Sequence, residues 1–241
     1  MFVDPGHGGP DTGALGVTTS GRPVTEARLI LAIGTALLAD LRAHGYTVVM
    51  ARTAGGAVAR AALGDVGGRI YSAAGLRRDL QARVACANVG HADVLVSVHL
   101  DAFPDPAAGG SETVYDPDRP FAGQSLRLAR LVQYDVGDFL AAAGWSVPDR
   151  GVLDDLQQGT AVDAAALAYG HLLLLGPPSA THNPSPSQMP GVVCEPLFIT
   201  DPAEADIATS RGGQQALARG LTTAVITFLT PPAPATGPTH R

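Results

Sequence analysis

Cysteine is nearly missing. Cys86 and Cys194 are the only two in 241 residues, and no C-x-x-C spacing exists. A disulfide scaffold and a cysteine-based metal site are thereby excluded, and both thiols are expected to lie buried and free in their apolar stretches. Charge is also sparse: 16% of residues are charged, with a net charge of -6 and a sequence pI near 5.5. No basic stripe exists, so nucleic acid is excluded as a partner. The acidic balance does not exclude an anionic polymer, because the field at a cleft matters more than the total. No run approaches the ~20 apolar residues of a membrane span. Met1-Phe2-Val3 carries no basic leader and runs directly into the first motif, so no signal-peptide pattern is visible.

What is present is apolar matter, at 46% of the chain, enough for a real core and far from the profile of disorder. Polar residues of chemical interest interrupt it at a few points. Val3-Asp4-Pro5-Gly6-His7-Gly8-Gly9 puts an imidazole on a tight glycine loop after an apolar entry. Glu26 follows, then Ser97-Val98-His99, and Glu195 lies in the apolar run Val192 to Phe198. Two histidines and a glutamate form a ligand set for a hydrolytic zinc site, which needs three protein ligands and one open position. A second glutamate can then act as general base. On this reading the chain is a metal-dependent hydrolase.

Periodicity predicts a helix over Glu26 to Ala43 with Thr25 as N-cap, and others over Leu76 to Asn88, Ala122 to Ala143, from Asp201-Pro202, and over Gln214 to Leu229. Strands are predicted at the first motif, Tyr46 to Ala51, Ala92 to Val98, Ser111 to Tyr115, Leu172 to Leu175 and Val192 to Phe198. Gly55 to Gly75 reads as irregular, Trp145 to Gly170 as poorly patterned, and Gly176 to Met189 as an exposed Pro-rich loop. The alternation implies an α/β fold: one domain with a mostly parallel (mixed) twisted β-sheet flanked by helices on both faces. Reactive residues in such sheets collect at strand carboxyl ends, where His7, His99 and Glu195 fall. Glu26, at a helix start, can point back to the same rim.

Plainer readings compete at each position. His7 could mark a simple strand-to-helix turn; a phosphate loop is excluded because neither Gly-Lys-Ser/Thr nor G-x-G-x-x-G is present. Glu26 could be a carboxylate favouring the helix dipole. His99 is harder to dismiss, since a polar ring after a buried strand needs a partner. Glu195 could be a buried ion pair to Arg83 or Arg150; otherwise burial raises its pKa toward the range of a base. Asp101, Arg83 and Arg150 are the candidates for supporting contacts to a ligand or to the substrate. His44 is explained by helix capping, and His171 is best read as a satisfied structural histidine.

The order Asp4-Pro5-Gly6-His7-Gly8-Gly9, Asp11, Gly13-Ala14, Glu26, Arg83, Ala87-Asn88, Ser97-Val98-His99-Leu100-Asp101-Ala102, then Glu195 before Phe198-Ile199-Thr200 resembles the zinc-dependent N-acetylmuramoyl-L-alanine amidases of the Amidase_3 family. The likeness runs from Val3 to about Leu229. It implies that His7, Glu26 and His99 bind one Zn2+ per chain and that Glu195 is the catalytic glutamate. It also implies peptidoglycan as substrate, cut at the amide between the lactyl group of N-acetylmuramic acid and the L-alanine of the stem peptide. Residues 1–230 then form the amidase catalytic domain and 231–241 a Pro-rich tail or linker. An extracytoplasmic setting follows, in periplasm, cell wall or medium, with the export signal trimmed away or release by a route such as phage lysis. No regulatory protein partner is identified.

Two departures stand out. Pro196 follows the glutamate, where it argues for an edge strand or bulge, and Asp101 stands where the family often has Asn. Residues 153–169 and 177–188 look longer than a compact member needs. The segment Asp154 to Ala168 could cover the zinc or form a groove wall. Two other functions remain open to the sequence: a zinc carboxypeptidase or peptide amidase on a similar fold, and a non-catalytic cell-wall-binding regulator.

Overall fold

A computed structural model of the chain describes residues 1–67, 70–155 and 164–230. In chain order it contains β1 (Phe2–Pro5), β2 (Leu15–Val17), β3 (Pro23–Thr25), α1 (Glu26–Ala43), β4 (Val49–Met50), β5 (Val66–Gly67), β6 (Ile70–Tyr71), α2 (Ala73–Val89), β7 (Leu95–Val98) and β8 (Ser111–Tyr115). There follow α3 (Ala122–Ala142), β9 (Asp149–Asp154), α4 (Ala164–Tyr169), β10 (Gly191–Glu195), α5 (Pro202–Thr209) and α6 (Arg211–Leu229). The central sheet has six strands in the order β4-β1-β7-β10-β8-β9. β4, β1, β7 and β10 run parallel; β8 opposes β10, and β9 runs parallel to β8. The sheet is thus mixed and mostly parallel, as the sequence implied.

The run Val94 to Val98 shows why both faces are covered. Val94, Val96 and Val98 enter one core with Ile30, Ile33 and Leu37 of α1, Leu128 and Val132 of α3, and Leu217 and Leu221 of α6. Leu95, one residue out of phase, enters a second core with Phe2, Val193, Val84 of α2 and Leu173–Leu175. Side chains alternate across a strand, so a nearly continuous apolar run feeds two layers at once.

Several expectations need correction. Leu172 to Leu175 forms a turn, not a strand: its leucines are buried against the α2 face while their backbone curls. The Trp145 to Gly170 stretch contains β9 and α4, which its weak periodicity hid. Pro196 sits neither on an edge nor in a bulge; β10 is central and ends at Glu195, so the missing N–H falls one residue beyond the ladder. Cys86 is exposed, although Cys194 is buried as expected. Thr25 is the N-cap of α1 by position, but its side chain accepts no capping hydrogen bond. The Pro-rich loop is anchored inward: Asn183 is fully buried and donates to the Leu173 and Gly176 carbonyls at 3.1 and 3.2 Å. The expected tail at 231–241, and residues 156–163 of the suspected cover, lie outside the described residues.

Candidate active site

Because β1, β7 and β10 are neighbours with parallel direction, their carboxyl ends share one rim. His7 follows β1, His99 follows β7 at once, and Glu195 is the last residue of β10. Glu26 opens α1, whose start is tied to the same rim by Glu26 N–H donating to Ala14 O at 2.9 Å. Close approach of these segments depends on glycine. A Cβ on Gly6 would stand 2.1 Å from His99 Cε1, and one on Gly13, whose φ is +63°, would stand 2.6 Å from Glu26 Oε2. His7 itself holds a left-handed φ of 54°, an uncommon conformation that marks the loop as functionally constrained.

Three donor atoms converge. His7 Nε2 lies 2.9 Å and His99 Nδ1 3.1 Å from the same oxygen, Glu26 Oε1, and the two ring nitrogens are 3.1 Å apart. Ligands about 2.0–2.1 Å from a tetrahedral zinc ion are separated by about 3.3 Å, so this triangle has the size of one face of such a shell. The chemistry of the donors, two imidazoles and a carboxylate, also suits zinc. Two of the three donors are oriented from behind. Asp11 Oδ2 lies 2.8 Å from His7 Nδ1, which leaves Nε2 for the centre. The Ala14 and Leu100 N–H groups donate to Glu26 Oε2 and Oε1 at 2.8 and 3.0 Å.

The electrostatics follow from this packing. Burial opposes charge on His7, yet Glu26 and Asp11 outweigh it and lift its pKa to about 10 in the metal-free protein. Burial would raise the Glu26 pKa, but His7 and His99 hold it well below the carboxylate range. Glu195 moves the other way: burial first, then the charges of Glu26 and Asp101, push it well above an ordinary carboxylate. Its Oε2 is shut from solvent and has no hydrogen-bond partner among the described residues. Burial likewise pushes Asp101 up to about 6.

A cleft of about 430 Å³ contains His7, Glu26, His99, Asp101 and Glu195, with Leu172–Leu174 as an apolar wall. A second cavity of about 410 Å³ opens on the other side of His7 and His99, toward Ile70, Tyr71 and Leu76. His7 and His99 of the triangle therefore border both cavities.

The supporting arginines are not where a substrate contact would put them. Arg83 is buried and bridges Asp4 Oδ1 (2.6 Å) and Asp79 Oδ2 (2.7 Å), while also donating to the Pro5 and His7 carbonyls. It braces the His7 loop from beneath the second cavity, with its guanidinium nitrogens taken up by these partners. Arg150 is half exposed, pairs with Glu112 Oε2 at 2.7 Å and lies over the Phe198 ring. Glu195 therefore pairs with neither arginine. Two contributors escaped the sequence reading. Arg52 is buried and clasps the carbonyls of Pro5, Gly6 and Ala27. Asp4 links Arg83 to Ser97 Oγ at 2.8 Å. Their only signal was a charge set into or just after an apolar strand.

A cleft lined by a buried carboxylate oxygen and a two-histidine, one-glutamate triangle at the carboxyl rim of an α/β sheet is the arrangement of a hydrolase whose donor set could hold a metal ion. The profile of the Amidase_3 family, N-acetylmuramoyl-L-alanine amidase, matches residues 1–227, and the chain belongs to that family of peptidoglycan hydrolases. It is 28% identical over 244 residues to the N-acetylmuramoyl-L-alanine amidase AmiA of Salmonella typhimurium, covering 95% of this chain and 75% of that one. Among solved structures, the N-acetylmuramoyl-L-alanine amidase from Clostridium difficile 630 superposes with a TM-score of 0.65 at 28% identity, over 95% of both chains. The CwlD amidase from Clostridioides difficile, solved in complex with the GerS lipoprotein, shares the fold with a TM-score of 0.69 at 20% identity, over 95% of this chain and 96% of that one.

Proposed function

We propose that His7, Glu26 and His99 hold a single Zn2+ and that Glu195 is the general base and acid for hydrolysis of the amide between N-acetylmuramic acid and L-alanine. The observation that carries this is the three-atom triangle with separations of 2.9–3.1 Å, beside a Glu195 carboxylate whose buried Oε2 has no hydrogen-bond partner among the described residues. A bound zinc ion supplies Lewis acidity, polarising a carbonyl and lowering the pKa of water to about 7. Glu195 accepts the proton of the attacking water and passes it to the departing amine nitrogen. Its raised pKa suits both halves of that task, since a carboxylate that strongly prefers its proton is the better base. The Leu172–Leu174 wall shields the reacting centre on one side, and the two cavities bordered by His7 and His99 accommodate a polymer that continues past the cut bond. Residues 1–230 are read as the catalytic domain. Its place of work is the cell wall, outside the cytoplasm, because the substrate is there.

Glu195→Gln keeps the shape and removes the proton acceptor. It is expected to lower the rate about 10²–10⁴-fold while zinc content by elemental analysis is unchanged; full activity in this variant would sink the assignment. Digestion of purified peptidoglycan separates the amidase from a carboxypeptidase: free intact stem peptides mark the former, and shortened peptides still on glycan mark the latter.

A further inference from the structure

On the far side of the Leu172–Leu174 wall lies a second polar cluster. Asp116 follows β8, Asp155 follows β9, and His171 follows α4 and directly precedes Leu172. One donor atom from each lies within 4.8 Å of the others. His171 Nδ1 is 3.0 Å from Asp116 Oδ2 and 3.5 Å from Asp155 Oδ2, close to the ~3.3 Å between neighbouring ligands of a tetrahedral zinc ion. The carboxylates are buried, with side-chain exposures of 2% and 0%. Among the described residues, Asp116 Oδ2, Asp155 Oδ1 and His171 Nδ1 are all closed to solvent and lack any aligned hydrogen-bond partner. The nearby Arg119 directs its terminal nitrogens to the Leu175 and Gly176 carbonyls and to Ser187. On the other ring edge, the exposed Asp118 Oδ2 lies 4.0 Å from His171 Nε2, beyond hydrogen-bond reach.

Two buried carboxylates and an imidazole nitrogen that meet without an aligned hydrogen bond between their side chains make a poor protein core and a good cation shell. We propose that Asp116, Asp155 and His171 bind a second divalent cation of zinc type, distinct from the one assigned to His7, Glu26 and His99. The mixed nitrogen and oxygen donors select zinc over calcium or magnesium. The ion has a structural role. It joins the ends of β8 and β9 to the segment that places the cleft wall, where Leu172 N–H already donates to Asp155 Oδ2 at 2.9 Å. The competing arrangement is a proton shared between the two carboxylates.

The full chain, equilibrated with zinc and freed of excess, is expected to carry two ions by elemental analysis. His171→Ala should carry one, and so should the double variant His7→Ala/His99→Ala. Metal-free double variant titrated with zinc chloride in a calorimeter should still bind one equivalent, and adding Asp116→Asn should abolish that binding. Asp116→Asn keeps side-chain size and replaces His171→Ala if the latter does not fold. A wild-type content of one ion that neither variant changes, or a double variant that binds none, overturns the second site in favour of the shared proton. Failure of the catalytic reading is separate: His7→Ala/His99→Ala would then retain every ion of the wild type.

Discussion

Asp101 stands near the reacting carboxylate and has its own pKa lifted to about 6 by burial. Its negative charge is among the causes that hold the Glu195 proton tightly, after burial and Glu26. A base must be deprotonated to act, so activity should rise with pH through the Glu195 titration, on a limb displaced above the ordinary carboxylate value of about 4.3. Replacing Asp101 by Asn removes a like charge and lowers the Glu195 pKa. The acid limb of kcat/KM against pH is then expected to move to lower pH by roughly half a unit or more. A profile unmoved by Asp101→Asn, measured on a soluble muropeptide, would show that Asp101 does not couple to the base.

Between elements, the site depends on a few buried polar ties. Arg83 of α2 spans Asp4 of β1, Asp79 on its own helix and the backbone that carries His7. Removing one partner from a buried ion pair leaves the others charged and unpaired, at a cost of about 3–5 kcal/mol. Arg83→Met should lower unfolding free energy by that order in urea titrations and reduce zinc content with it; a change of about 0.5 kcal/mol or less, the scale of surface substitutions, would contradict the bracing role. At this scale the sequence was legible where periodicity is strong. The helix at Glu26 to Ala43 and the strand at Ser111 to Tyr115 match α1 and β8 end to end. It was opaque where packing overrides local pattern. The leucines at 172–175 are apolar because they cap the α2 face from a turn, and no period distinguishes that from a strand. The three residues proposed as ligands were readable because each is a polar group where an apolar strand or helix begins or ends. The triangle itself was not, since it depends on β1 and β7 being neighbours, and no spacing within the chain encodes that adjacency. Arg83 and Arg150 were expected to support a ligand or the substrate, and only side-chain contacts reveal that one braces a loop and the other pairs with Glu112.

For the molecule as a whole, the two cores fold the sheet without help from metal, since α1, α3 and α6 cover one face and α2 the other. Ion binding therefore adds to a structure that already exists, and the apo protein should remain folded. The increment follows from mass action: a ligand at a hundredfold excess over its Kd stabilises the native state by about 2.7 kcal/mol. For a chain of this length that is about 5–10 °C in Tm. Chelation should thus lower Tm by an interval of this size while leaving far-ultraviolet dichroism native at 25 °C, and re-addition of zinc should restore both Tm and amidase activity. Collapse of the dichroism on chelation would mean that the ions nucleate the rim, and that the glycine-lined meeting of β1, α1 and β7 does not persist without them. Loss of activity with an unchanged Tm would instead place the ion outside the ligand triangle, because three ligands from three separate elements cannot be joined without stabilising their arrangement.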